Sequence, residues 1–361
     1  MASRYRTRVT PHTRGTVTYS DGSVYIDAHN NDQVEDCTDV TGAGDCWEFT
    51  LNRTSWAGGD LNTYFPSSKT FSNFRVDGVT GQFTPNTSFP GQKPSGTYAT
   101  EAAARTNPSR PYVDIPVSLF ELGDAAQLIQ KAGRSLIREY AGRHLETQFF
   151  WKPLISDLYK MVSFHEQVAR RTQEFNRLKG AKGFRKTVLL DTLSASKQIL
   201  WDPQSAHLNL PSRYEQVISS RVIKGHCRWL ATADLSKMPS REAVDKIRRS
   251  LLGITIDAST VWELIPFSWL IDWGFNIGAY LKANRNIIPA RLDYVTIIEH
   301  SVHRAEFGPM TSGAHTMSAG YWKKEVKRRY RQTVFPTAHF PFLSESQVGI
   351  VAALAILNKS K

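Results

Sequence analysis

Residues 261–281 constrain the fold more than any other part of the chain. The stretch is apolar and holds Trp262, Trp269 and Trp273, but Glu263, Pro266 and Asp272 interrupt it. A lipid-facing span does not readily carry two acids, so the segment reads as a buried helix over 259–285 and not as a membrane crossing. Gly274 and Gly278, four apart, leave room for another element to approach. Glu263 and Asp272 are nine residues apart, which at about 100° per residue puts them on opposite sides of a continuous helix. That geometry suits a general acid/base pair poorly. Each therefore reads as a carboxylate packed beside an Arg, Tyr or Trp partner.

The rest of the chain divides by pattern. Residues 1–117 read as a β region with loops. The segment 16–26 alternates around Asp21-Gly22, a hairpin signal, and 27–48 carries seven acids and no Lys or Arg, which reads as an exposed loop. Gly, Pro, Ser, Thr and Asn with spaced aromatics over 58–116 predict short, irregular strands. From 118 to 180 the spacing turns helical, with Leu122, Ala125, Ala126, Ile129, Leu136 and Tyr140 on one face and a second helix from Pro153 to about 178. Residues 181–239 hold two β-like stretches, 185–201 and 213–235, and read as a hairpin insertion joining the β region. Helices return over 240–290, with Ser240 as N-cap of the first. Residues 291–340 form a second hairpin insertion and 341–361 a C-terminal helix. The order does not suit a doubly wound parallel sheet. It predicts an elongated α+β molecule in which a discontinuous helical bundle region accompanies a separate antiparallel β-sheet region.

Charge points to a partner. The chain has 45 Lys and Arg against 33 Asp and Glu, a formal net charge of +12. Residues 1–117 hold 10 bases and 12 acids, so the whole excess belongs to 118–361. That favours a polyanion bound by the second part. On the predicted helices Lys131, Arg134 and Arg138 form one stripe; Arg170, Arg171 and Arg177 form another, extended by Lys179, Lys182, Arg185 and Lys186; Arg241, Arg248 and Arg249 form a third. Three stripes without matching acids suit RNA or DNA phosphates better than three solvated faces do. A dense run, 323–331, falls in a predicted strand. Alternation puts Lys324, Val326, Arg328 and Tyr330 on one face and Lys323, Glu325, Lys327, Arg329 and Arg331 on the other.

Enzyme motifs are missing from the sequence. There is no P-loop and no Gly-x-Ser-x-Gly elbow, and His165-Glu166 is not followed by the second His of a zinc protease. Asp32, Asp36, Asp39 and Asp45 fit no calcium-loop spacing, so neither a metal nor a cofactor is expected. Cys37, Cys46 and Cys227 match no zinc site and read as free thiols of a protein made in a reducing cytoplasm. The N-terminal residues show no signal peptide.

Three segments carry a resemblance. The block 261–273, with Trp262, Glu263, Pro266, Asp272 and Trp273, continues through Asn276, Ile277, Gly278, Tyr280 and Leu281. It resembles the signature of the maturation (A) proteins of single-stranded RNA bacteriophages, the leviviruses. Residues 150–158, with Trp151, Pro153 and Asp157, are similar to a second segment of that family, and 343–357 resembles its closing helix. The resemblance implies a non-enzymatic virion protein, one copy per particle, that takes the place of a coat protein dimer. It implies a helical region gripping the 3′ part of the genomic RNA and a β region attached to a host pilus, with these Trp, Pro, Glu and Asp residues as scaffold. One branch of the family also lyses its host by inhibiting a cell-wall enzyme. A reading from another class makes the chain a nucleic-acid-processing enzyme with Glu263 and Asp272 as its acids.

Overall fold

Period-two burial runs through β10 and the C-terminal half of β11 and decides which of their side chains meet. The computed structural model describes residues 2–12, 15–26, 31–41, 47–64, 69–75, 88–112, 164–201, 211–232, 238–252, 258–259, 262, 272 and 275–334. Its elements, in chain order, begin with strands β1 (Ala2–Pro11), β2 (Thr16–Tyr19), β3 (Val24–Ile26), β4 (Asn31–Thr41), β5 (Phe49–Gly58), β6 (Asp60–Thr63), β7 (Lys69–Ser72) and β8 (Phe74–Arg75). Helices α1 (Ser95–Thr106) and α2 (Phe164–Lys179), strands β9 (Phe184–Trp201) and β10 (Arg213–Ala231), and helices α3 (Ser240–Leu252) and α4 (Ile277–Ala283) follow. Strands β11 (Ala290–Phe307), β12 (Met310–Ser312), β13 (His315–Met317) and β14 (Gly320–Gln332) complete the series.

The fold is α+β with antiparallel sheets. Seven strands form one sheet in the order β1-β4-β5-β14-β11-β10-β9, and two small sheets run β12-β13-β6-β8 and β3-β2-β7. The chain divides into two compact units. The first holds 1–92, 189–224 and 296–331; the second holds 93–188, 225–295 and 332–361.

In the first unit one face of the large sheet builds the core. Trp56 stands opposite Trp322 across β5 and β14. Around them pack Ile199, Trp201, Val217, Ala305 and Phe307, closed by Val17, Leu61, Phe71, Met310 and Met317 from the small sheets. The Trp201 and Phe307 rings lie 4.7 Å apart. Gly58 faces Gly320 where β5 meets β14. A Cβ on Gly320 would strike the Ala57 carbonyl oxygen and the Phe307 ring, so glycine lets the two backbones close. The hairpin predicted at Asp21-Gly22 is present, with Thr16 opposite Ile26 and Gly22 at φ 81°.

In the second unit the described helices pack in pairs, α1 with α4 and α2 with α3. Strands β9, β10, β11 and β14 and helix α3 follow the predicted pattern closely. Three other readings are corrected. The acidic stretch 27–48 is not a loop throughout: β4 runs Asn31–Thr41, because arginines on both neighbours neutralise it. Arg4 sits opposite Asp39 and ion-pairs with it, while Arg53 binds Glu35 at 2.8 Å. Within 58–116, Ser95–Thr106 is a helix. Tyr98, Ala99, Ala102, Ala103 and Thr106 are buried at helical spacing, and the surrounding Gly, Ser and Thr obscured that signal. The helix predicted over 259–285 is not continuous, since Phe275 and Asn276 are non-helical and α4 starts at Ile277. The helices predicted over 122–140 and 344–357 lie outside the described residues.

Replacing Gly320 with Ala should destabilise the protein by about 1–3 kcal/mol through overpacking. Gly22→Ala, with open space around it but a positive φ, should cost about 1 kcal/mol. Urea denaturation of the two variants checks the order.

Candidate nucleic-acid interface

Helix α2 has one buried face and one charged face. Phe175 and Leu178 are buried, and so are Ala243, Ile247 and Leu251 of α3, spaced three and four apart as a helix–helix contact requires. Gly180 and Gly183 end the α2 segment, Gly183 at φ 68° with its N–H donating to the Gly180 carbonyl at 2.8 Å.

On α2 lies Glu174, which joins the helix to the segment after α1 and to β9. Its carboxylate accepts two hydrogen bonds from Arg110, at 2.9 and 3.0 Å, one from Arg171 at 2.9 Å and one from Lys186 at 2.8 Å. Burial alone would raise the Glu174 pKa, but Arg110 and Arg171, with the bonds from Lys186 and Arg110, outweigh it and bring it down to about 2. Burial and the nearby Arg110 lower Arg171 to about 10 despite Glu174. Arg171 also donates to the carbonyl of Arg110 at 2.7 Å.

This geometry separates the predicted basic stripe. Arg171 is only 7 % exposed and turns inward, so it does not share a surface with Arg170. Lys186 is likewise engaged by Glu174. Arg170, Arg177, Lys179 and Lys182 are exposed, as are Arg241, Arg248 and Arg249 on α3. Arg170 pairs loosely with Glu166 at 3.6 Å, and Lys179 lies over the Phe175 ring and donates to the Met238 carbonyl at 3.3 Å. Arg177, Lys182, Arg241, Arg248 and Arg249 have no ion-pair partner among the described residues. The acid Glu242 is taken by Lys246 at 3.3 Å. Two packed helices and the turn after the first thus present cations outward. Lys131, Arg134 and Arg138 lie outside the described residues.

Of the scaffold residues, Trp262 and Asp272 are described. The Trp262 indole donates to Asp272 Oδ2 at 3.2 Å, and the Gly278 N–H donates to Asp272 Oδ1 at 2.9 Å. Residues ten apart on one straight helix are separated by about 15 Å along its axis, so Trp262 and Asp272 do not share one. A Cβ at Gly278 would collide with the Asp272 carboxylate, so the glycine opens the place where that side chain sits. Both Asp272 oxygens are occupied by these donors. Trp151, Pro153, Asp157, Glu263, Pro266 and Trp273 lie outside the described residues.

A segment between α1 and α2 escaped the sequence reading. The Asn107 side-chain amide points at the carbonyls of Lys282, Ala283 and Arg285, 2.9–3.1 Å away, and closes the end of α4. Trp229 donates to Thr106 at 3.1 Å, Ser109 accepts from the Ile288 N–H at 2.8 Å, and the Tyr112 N–H reaches the Leu251 carbonyl at 2.9 Å. A short Asn-Pro-Ser-Arg run is the one signal that could have marked it.

The described acids of β4 are engaged by neighbouring side chains. Asp32 binds His12 and Arg75, Asp36 accepts from Tyr5, and Asp39 pairs with Arg4 and Arg6. Asp45 and Cys46 lie outside the described residues; Cys37 and Cys227 are free thiols. No helix among the described residues is long and apolar enough to cross a membrane.

Residues 128–303 match the model of a family described as phage maturation protein. Over this stretch, just under half of the chain, the protein is similar to that family. The match spans α2, β9, β10, α3 and α4 and most of β11, so it contains the outward cations, the Trp262–Asp272 bond and the Glu174 cluster apart from Arg110. It supports a maturation role in a phage and a place in the virion, as the resemblance in residues 150–158 and 261–281 implies. A comparison with curated proteins finds no match.

Glu174→Gln should cost about 3–5 kcal/mol, because it leaves Arg171 buried without a counter-charge. The folded pKa of Glu174 lies below its unfolded value near 4.5, so its stabilisation is complete above that pH. It should be lost as pH falls through about 2. Denaturation midpoints followed from pH 6 to pH 2 should fall more steeply in the parent protein than in Glu174→Gln.

Proposed function

We propose that the chain is an RNA-binding maturation protein of a single-stranded RNA phage and that α2, its following turn and α3 form its main grip on the genome. The observation that carries this reading is the set of exposed arginines and lysines on two packed helices, inside the family-matched stretch, where cations outnumber the exposed acids Glu166, Glu242 and Asp245. Cations so placed bind phosphates without regard to sequence. Arg170, Arg177, Lys179, Lys182, Arg241, Arg248 and Arg249 make up this face, and Arg171 serves the interior instead. Lys131, Arg134 and Arg138 extend it in the proposal.

In the same reading the protein binds the 3′ region of the RNA, replaces one coat dimer and is present once per virion. Its β region attaches to a host pilus, after which the RNA enters the cell. The Trp262–Asp272 bond, together with the Gly278 N–H on the other oxygen, gives Asp272 a packing role.

Reversing charge at Arg177, Arg248 and Arg249 together should flatten the salt dependence of RNA binding. For single strands each lost phosphate contact removes about 0.7 from the slope of log K against log salt, so the slope should fall by about 2. Circular dichroism should stay unchanged, since all three side chains are exposed. An unaltered slope would remove this face from the mechanism.

A further inference from the structure

The basic strand β14 lies outside the family-matched stretch and takes no part in the helical face. The buried Trp322 sets the faces of β14 by alternation, although Arg328 on its side is exposed and Lys327 and Arg329 opposite are half-buried. Trp322 points into the core, so Lys324, Val326, Arg328 and Tyr330 share its side of the sheet. The Tyr330 hydroxyl accordingly donates to Glu299 at 2.8 Å. Lys323, Glu325, Lys327, Arg329 and Arg331 face the other way.

On that outward side the neighbours matter. In the sheet order β14 lies beside β11, and β11 beside β10. Ser301, His303, Ala305 and Phe307 are buried on the core side of β11, which puts His300 outward; Ile223 is buried on β10, which puts Lys224 outward and exposed. The acids are few and engaged: Glu325 is shared by Lys323 at 2.8 Å and Arg53 at 3.5 Å. Lys224 and Lys327 have no acidic partner among the described residues. His300 records the imbalance. Burial first, then Lys327, Lys323 and Lys224 against the opposing Glu325, push its pKa down. Farther along the same face Arg329 lies over the Phe49 ring at 5.6 Å, and Arg331 over the Trp47 ring at 4.2 Å.

We propose that this outward face of β10, β11 and β14 is a second binding site for single-stranded RNA, with Lys224 and Lys327 holding phosphates and the Trp47–Arg331 and Phe49–Arg329 pairs offering planes to unpaired bases. Outward side chains on a strand recur about every 6.7 Å, so β14 sets a row of cations along an extended backbone. Cations joined to stacking platforms are what a sequence-tolerant single-strand site requires. An acidic polypeptide would answer the charge but has no use for the flat guanidinium–aromatic pairs. The proposal rests on the reading that RNA is the partner but does not depend on the helical face.

The test uses the full chain and a short labelled oligouridylate, with binding followed by fluorescence anisotropy across a salt series. Lys224→Gln with Lys327→Gln should weaken binding about tenfold at physiological salt and lower the slope by about 1.4, two contacts' worth. Lys224→Arg with Lys327→Arg, which keeps the charge, should bind as the parent does. Parent-like binding by the Gln pair would overturn the site. Equal loss in the Gln and Arg pairs would overturn it too, by showing a packing role, as would displacement of the RNA by polyglutamate at matched charge. The charge-reversed Arg177, Arg248 and Arg249 variant is measured beside them. If it alone binds normally, the helical grip fails while the sheet site stands.

Discussion

One carboxylate holds the second unit together. Glu174 is surrounded by Arg110, Arg171 and Lys186, and the cost of taking four charged groups from water is offset only because each bond is short and the carboxylate accepts four of them. The Glu174 arrangement also fixes the backbone. Arg110 leads into a chain segment whose polar groups reach the end of α4 through Asn107, strand β10 through Trp229 and Thr106, and α3 through Tyr112. Helices with small contact areas are thus placed by directional bonds as much as by apolar burial.

That arrangement explains how the helices come to show so many cations outward. A carboxylate consumed by three bases is not available to the neighbouring arginines, and α3 spends its Glu242 on Lys246, leaving Asp245 as its one other acid. The positive field outside the helix pair is therefore a by-product of how its interior is neutralised. The N-terminal part follows the opposite rule. There Asp32, Glu35, Asp36 and Asp39 each meet a base or a hydroxyl, so a stretch rich in acids is locally balanced.

Much of the fold was legible because the long strands alternate and α3 is amphipathic. Strands β9, β10, β11 and β14 announce themselves by side-chain period, and the Asp21-Gly22 turn by its dihedral demand. Strand β4 was not legible, because its charges are neutralised by Arg4, Arg6 and Arg53, which pairing across strands brings near and sequence distance does not. Helix α1 was hidden for a related reason: alanines and threonines bury well but score weakly as apolar. Within the candidate site, exposure on a helix can be read from periodicity, and it placed Arg177, Arg241, Arg248 and Arg249. It misplaced Arg171, since the partner that draws it inward, Glu174, is one turn away and works only together with the distant Arg110.

Strand β1 shows what charge can do where burial cannot help. All ten of its residues are exposed, so no apolar face dictates which residue of β4 each one should meet. A shift of one position would move every arginine to the opposite side of the sheet. The paired contact of Arg4 with Asp39, directly opposite one another, removes that freedom. With the Tyr5–Asp36 and Arg6–Asp39 contacts it acts as a registration pin for this sheet border, and added salt weakens its ionic part. Ionic strength therefore bears on the alignment of this border as well as on nucleic-acid affinity.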